Sequence, residues 1–322
     1  QPLPYELHYH KFFSFKKPLR LNNYGHFGPD FHQEKAPGTL RVACIGASTT
    51  ANNISDGERD YSYPELLQGM LQEHFDRQGL GLRAEVFNCG IGGWSSADIL
   101  VNYLLNIAAL RPDYILVYHG FNDLHLHLMR DFTPDYQAGR RNLGEVLHLI
   151  RRAYLLPKIP FWHLYEFAKD RLLGTGNIRN DLLALISKQE LDFGHGFETL
   201  SHQQDNLRHL LLAARHHGAR AILSSFAMYQ YHDDVVTKKL YEGVSLENLH
   251  LRQLAQEFDA PFVDQANLIP LGPECFVDAI HFTPEGMRVL ARNFCDELVR
   301  DLQARGDTAV ASHRDAFSGR DQ

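Results

Sequence analysis

The chain has no apolar run of about 18 residues or more, so no segment of it is expected to cross a bilayer as a helix. Its cysteines are few and unpaired in spacing. Cys44, Cys89, Cys275 and Cys295 stand apart, and no two make a C-x-x-C step. That pattern argues against a zinc knuckle. Cys44 and Cys89 fall in strand-like runs and read as small buried hydrophobes. Basic charge is not in excess either. Lys and Arg number 32 against 39 acids, a net charge of −7, so neither nucleic acid nor an anionic membrane surface is an expected partner. Histidine is plentiful, at 19 residues. Yet His119, His125/His127 and His216/His217 have no Cys or paired acids at ligand spacing, so no metal and no cofactor is expected. No internal repeat is present.

What is present is an ordinary globular composition, 44% hydrophobic and 22% charged, in 322 residues, enough to bury a large core. The element pattern alternates. Residues 41–45 form a short apolar run suited to a buried strand. Residues 62–77 read as a helix, with Ser62 able to cap it and Pro64 in its first turn. A strand follows at about 84–88. The next helix presents Ala97, Leu100, Val101, Leu104, Leu105 and Ala108 as its apolar face and ends at Pro112. Residues 114–118 make a third strand. Strand, helix, strand, helix, strand implies right-handed crossovers and a parallel sheet. The rhythm breaks over 124–197, a segment rich in Leu, His and aromatics. It returns with a helix at 198–216, a strand at 219–226, a helix at 245–258, a short strand at 261–264 and a last helix behind Thr283. Residues 1–39 read as an extended arm, and residues 304–322 as a frayed tail. A chain that begins at Gln1 fits the removal of a leader or anchor.

The strand ends carry the chemistry. Gly46-Ala47-Ser48 closes the first strand, Asn88-Cys89-Gly90-Ile91-Gly92-Gly93 the second and Gly120-Phe121-Asn122-Asp123 the third. In a parallel sheet these ends share one edge, the edge where ligands bind. Asp278-Ala279-Ile280-His281 precedes the last helix. An acid three residues before His can hold one ring nitrogen and leave the other for a serine. Ser48, His281 and Asp278 thus suit nucleophile, base and orienter. The N–H groups of Ser48 and Gly93 and the amide of Asn122 suit an oxyanion hole, for which Gly92 is a rival to Gly93. His119 and Trp94 adjoin this set as candidate lining residues. Asp123 reads as a support for its loop. Ser224 and Ser225, at the end of the fourth strand, are rival nucleophiles by position alone.

These four blocks, in this order, resemble the SGNH/GDSL hydrolase superfamily. Asn22-Asn23-Tyr24-Gly25-His26-Phe27-Gly28-Pro29 resembles a lead-in of many bacterial members. The resemblance runs from about residue 20 to 300. It implies a flavodoxin-like three-layer α/β/α sandwich, here of about five parallel strands in a hydrolase domain at 40–303; the broken rhythm at about 124–197 reads as an insertion of irregular helices covering or flanking the site. It makes Ser48, Gly93, Asn122 and His281 the four name-giving residues, with Asp278 completing a triad. It also implies metal-free ester hydrolysis or acyl transfer. Two positions depart from the family pattern: Ala47 stands where Asp is usual and Thr49 where Leu is usual, and neither carries the chemistry. The expected substrate is a small-molecule or saccharide ester with an acetyl or short acyl group, handled by an extracytoplasmic enzyme. The same residues would serve an O-acyltransferase to a saccharide, and a catalytically dead binding module is the remaining alternative.

Overall fold

The computed structural model describes residues 6–7, 19–20, 22–51, 62–128, 132–136, 196–197, 200–230 and 235–306. The chain divides into two compact units, residues 1–124 with 200–322, and residues 125–199. The first unit is built on five strands: β1 (Thr39–Gly46), β2 (Arg83–Asn88), β3 (Tyr114–Tyr118), β4 (Arg220–Ser224) and β5 (Phe262–Val263). They run in the order β2-β1-β3-β4-β5, and every pair is parallel. β1 and β3 are buried along their whole length, as central strands covered on both faces must be.

Among the described residues, four long helices and one short one cover the sheet: α1 (Tyr63–Arg77), the short α2 (Ser96–Asn102), α3 (Ser201–His216), α4 (Val235–Glu257) and α5 (Pro284–Ala304). The two-residue period of β1 decides which residue faces which layer. Ala43 and Ile45 join Ile99 and Tyr103 of the α2 segment, Leu207 of α3 and Leu251 of α4 in one core cluster. On the opposite face α1 packs against α5, where Tyr63 stacks on Phe294 at 5.5 Å. The result is a three-layer α/β/α sandwich with the flavodoxin-like strand order. In that order the chain reverses direction across the sheet between β1 and β3, and the crevice at their C-terminal ends is the expected ligand site.

Three local expectations need correction. Ser62 stands at the N-cap of α1, but its hydroxyl donates to Glu65 Oε2 at 2.7 Å instead of capping a backbone N–H. The apolar face expected after residue 96 is the wrong one. Val101, Leu104 and Leu105 are exposed, while Ile99, Tyr103, Ile107 and Leu110 are buried. A π-helical turn at Tyr103–Ile107 shifts the phase, so side chains four apart line up where a regular helix would drift. Finally, α4 begins at Val235, ten residues before the apolar stripe that signalled it.

β1 is also anchored at its start. Arg41 is fully buried, and its guanidinium makes five hydrogen bonds. Nε donates to Glu85 Oε2 at 2.8 Å; the terminal nitrogens donate to the carbonyls of His32, Gln33, Glu34 and Leu110. Its own N–H donates to Asp113, which also pairs with Lys35. The segment before β1 is thereby tied to the sheet. Tyr24 stacks on Phe31, and Phe31 on Phe87, at 4.6 and 4.0 Å. Further back, Glu6–Leu7 pairs antiparallel with Leu19–Arg20.

In the second unit, the described side chains of His127, Phe132 and Tyr136 cluster, with Tyr136 Oη 3.2 Å from His127 Nε2. Most of the expected insertion at 124–197, residues 1–5, 8–18 and 21 of the arm and nearly all of the tail at 304–322 lie outside the described residues. Among the described residues no helix is long and apolar enough to cross a membrane.

Candidate active site

Ser48 opens a short helical turn, Ser48–Ala51, directly after β1. Gly46 makes the turn possible. A Cβ there would lie 2.2 Å from Thr50 Oγ1 and 2.4 Å from the Tyr118 carbonyl. Gly90 is needed for the same reason from the β2 side, where a Cβ would meet the Ala51 nitrogen at 2.4 Å. Only glycine at both positions lets the serine turn sit this close to the neighbouring strand ends. As the first residue of its turn, Ser48 has an N–H with no partner inside that turn.

His281 arrives from the other end of the chain. Phe276 and Phe282 bridge antiparallel, the Val277 N–H donates to the His281 carbonyl at 2.8 Å, and Thr283 caps α5 two residues on. Asp278 organises the turn between them. Its Oδ1 accepts the N–H groups of Ile280 and His281, both at 2.8 Å, and its Oδ2 lies 2.7 Å from His281 Nδ1. The other ring nitrogen, Nε2, lies 3.0 Å from Ser48 Oγ. A carboxylate can only accept, so Nδ1 carries the proton and Nε2 accepts from the serine hydroxyl. Partial burial works to raise the Asp278 pKa. The His281 ring, the Ile280 and His281 N–H groups and the charge of His281 outweigh it and hold the carboxyl below its usual range.

Asn122 lies after β3 in the helical turn Phe121–His127. Its Nδ2 donates to the Trp94 carbonyl at 2.8 Å, which fixes the amide and leaves its second proton over. A hollow of about 10 Å³ lies between Ala47, Ser48, His119, Asn122, Phe226 and Ile280. That is room for roughly one water-sized group. Of the two candidate lining residues, His119 borders this hollow. Trp94 meets the site through its carbonyl, while its ring packs against the core cluster. Gly93 sits in an exposed turn at φ +81° and does not border the hollow.

Behind Asn122 is a buried polar layer. Asp123 accepts from the Ser96 N–H at 2.8 Å, from Ser96 Oγ at 2.5 Å and from His119 Nε2. It links the start of α2 to the asparagine turn, the loop support expected of it. Glu247 of α4 lies under the same turn: its Oε2 is 3.1 Å from where a Gly120 Cβ would be. Burial first, and the Asp123 carboxylate second, push the Glu247 carboxyl well above its usual range. The sequence reading passed over Ser96, Phe226, Ile280 and Glu247. Glu247 had a signal, an acid on the stripe that carries Val244, Leu251 and Leu254. The rival serines are engaged elsewhere. Ser224 Oγ donates to the Val117 carbonyl and Ser225 Oγ to Asp264, each at 2.9 Å. Among the described residues no three His, Cys, Asp or Glu side chains converge on a metal position.

Residues 44–184 match the model of the GDSL-like lipase/acylhydrolase family. No curated protein matches the chain. Among solved structures, a catalytic mutant of an acetylxylan esterase from Geobacillus stearothermophilus is similar at 17% identity, with 82% of this chain and 96% of that chain covered and a TM-score of 0.50. A GDSL-like lipase from Bacteroides thetaiotaomicron is similar at 14% identity, with 81% and 89% covered and a TM-score of 0.45. The likeness to the acetylxylan esterase is one of fold.

Proposed function

We propose that the chain, whose residues 44–184 match the GDSL-like lipase/acylhydrolase family model, is an esterase of the SGNH/GDSL type that removes acetyl or similarly short acyl groups through an acyl-enzyme on Ser48. One observation carries the reading: the unbroken line from Ser48 Oγ to His281 Nε2 at 3.0 Å and from His281 Nδ1 to Asp278 Oδ2 at 2.7 Å. His281 takes the hydroxyl proton as Ser48 Oγ attacks the ester carbonyl carbon. The carbonyl oxygen becomes an anion, held by the Ser48 N–H and the spare amide proton of Asn122. Gly93, the third donor that the resemblance implies, lies outside the hollow beside Ser48 and is given no part in this scheme. Collapse of the tetrahedral adduct expels the alcohol, which leaves with the proton from His281 Nε2. Water then attacks the acyl-serine, giving its proton to Nε2, and release of the carboxylic acid returns that proton to Ser48 Oγ. Asp278 holds the imidazole in the tautomer this sequence requires and stabilises its charged form.

The size of the hollow beside Ser48, about 10 Å³, supports an acetyl group over a longer chain. A saccharide hydroxyl is the proposed alcohol, the class that the acetylxylan esterase's name gives for that enzyme. Ser48→Ala is the test. Release of p-nitrophenol from its acetate ester should fall by at least about 10⁴-fold with the fold retained, and a fluorophosphonate probe should no longer label the chain. Undiminished turnover by that variant would overturn the mechanism. Mass analysis of acetylated xylooligosaccharides before and after incubation tests the alcohol.

A further inference from the structure

Two hollows meet at one side chain. The first is the small one at Ser48. The second, about 230 Å³, lies at the ends of β4 and β5 and is lined by Met228, Tyr241, Val244, Leu249 and Leu271 together with polar groups that include Asn248. Phe226 borders both. It is 3% exposed and locked in place. The Asn248 side chain accepts the Phe226 N–H at 2.6 Å and donates to its carbonyl at 3.0 Å. The ring stacks on Tyr118 at 5.0 Å, and Tyr118 Oη accepts the next N–H, that of Ala227, at 3.1 Å. Its Cβ lies only 3.0 Å from where a Gly120 Cβ would be, so the side chain fills the space that glycine leaves open beside the asparagine turn.

We infer that Phe226 is the residue that sets acyl-chain length, a partition that closes the acyl side of the site after one carbon and seals it from the larger hollow beyond. The inference rests on the Ser48 reading above, because it needs the acyl group to enter the hollow at Ser48. A methyl fits that hollow; each further methylene meets a ring held by two backbone hydrogen bonds and a stacking partner. Shortening the side chain joins the two spaces. The added chain would then lie along Met228, Val244 and Leu249, the apolar part of a hollow whose lining also carries Ser245, Arg252, Asp264 and Asn267.

The test compares kcat/KM for the p-nitrophenyl esters of acetate, butyrate and hexanoate in the wild type, Phe226→Leu and Phe226→Ala. One methylene in an apolar pocket is worth about 10- to 200-fold in discrimination. The wild type should therefore favour acetate strongly. Phe226→Ala should raise the butyrate-to-acetate ratio by at least about tenfold, with Phe226→Leu between. Fluorophosphonate labelling of each variant reports an intact site. A labelled variant, either one, that keeps the wild-type chain-length profile overturns the inference, as does a wild type that cleaves hexanoate as well as acetate. Should Phe226→Ala fail to fold, the Leu variant alone decides. Failure of the Ser48 mechanism is distinguishable, since it would show as ester cleavage surviving in Ser48→Ala.

Discussion

Arg41 and Glu247 are both fully buried ionisable residues, at opposite ends of the same sheet, and the fold treats them in opposite ways. Arg41, at the start of β1, has an acceptor for each of its five N–H donors: one carboxylate and four carbonyls. Every donor of the buried guanidinium is matched, so none is left without a partner. Glu247, beneath the turn that carries Asn122, faces a second acid, Asp123, and only the Leu124 backbone N–H, among the described residues, favours its charge. Burial therefore drives it toward the neutral form. The saturated end of the sheet holds the chain together. The site end keeps groups in hand: the Ser48 N–H, the second amide proton of Asn122 and the hydroxyl that His281 draws on. A polar group with all its partners builds structure; one with a partner to spare can meet a substrate.

The widest separation of the two roles should come from Asp278→Asn. Asn would present an amide N–H to Nδ1, moving the ring proton to Nε2, where it can no longer accept from Ser48. The expected loss in kcat is about 10⁴-fold, the scale seen when a triad acid is replaced by its amide. Stability should change by under about 1 kcal/mol, because the Asp278 side chain is half exposed and solvent screens its pair. Steady-state kinetics beside urea unfolding reads both. A variant that keeps wild-type kcat would remove Asp278 from the mechanism.

Arg41→Met reverses the pattern. It leaves Glu85 and four carbonyls without their shared donor, and loss of one partner from a buried ionic cluster costs about 3–5 kcal/mol. The urea midpoint should drop accordingly, while kcat per correctly folded molecule, counted by active-site titration, stays at the wild-type value. A variant with normal stability would show that water replaces the guanidinium at little cost.

How much of this was legible in the chain follows the same division. The candidate site residues stand out by type and place, and the structure brings Ser48, Asn122, Asp278 and His281 close together while Gly93 lies outside the hollow beside Ser48. The alternation of strands and helices gave the parallel sheet because the crossovers from β1 to β2, β2 to β3 and β4 to β5 are local in sequence; only the one from β3 to β4 is long. Arg41 was opaque: arginine is rarely buried, and four of its five acceptors are backbone carbonyls, which leave no trace in residue type. The face of α2 was misread because Val101, Leu104 and Leu105 repeat as regularly as Ile99, Tyr103 and Ile107, and a π-helical turn decides between them. Phe226 was invisible as a divider because its neighbours Gly120, Tyr118 and Asn248 are remote in sequence.

The mildest perturbation addresses Glu247 itself. Its folded pKa lies above the ordinary glutamate value. In the window between the two, the folded protein holds a proton that the unfolded chain has released. Folding then takes up a proton, and the stability tied to this group falls as pH rises through that window, by up to about 1.4 kcal/mol per pH unit for a single site. Below the unfolded value both states are protonated and the group contributes no slope; above the folded value both are ionised and the slope vanishes again. Glu247→Gln is neutral in both states and nearly the same shape, so the variant should match the wild type at acid pH and show a shallower decline toward neutral and alkaline pH. Urea unfolding at a series of pH values measures the difference. Parallel curves for the two proteins would mean that Glu247 is charged in the fold, and that the contrast with Arg41 is one of partners unseen beside it rather than of protonation.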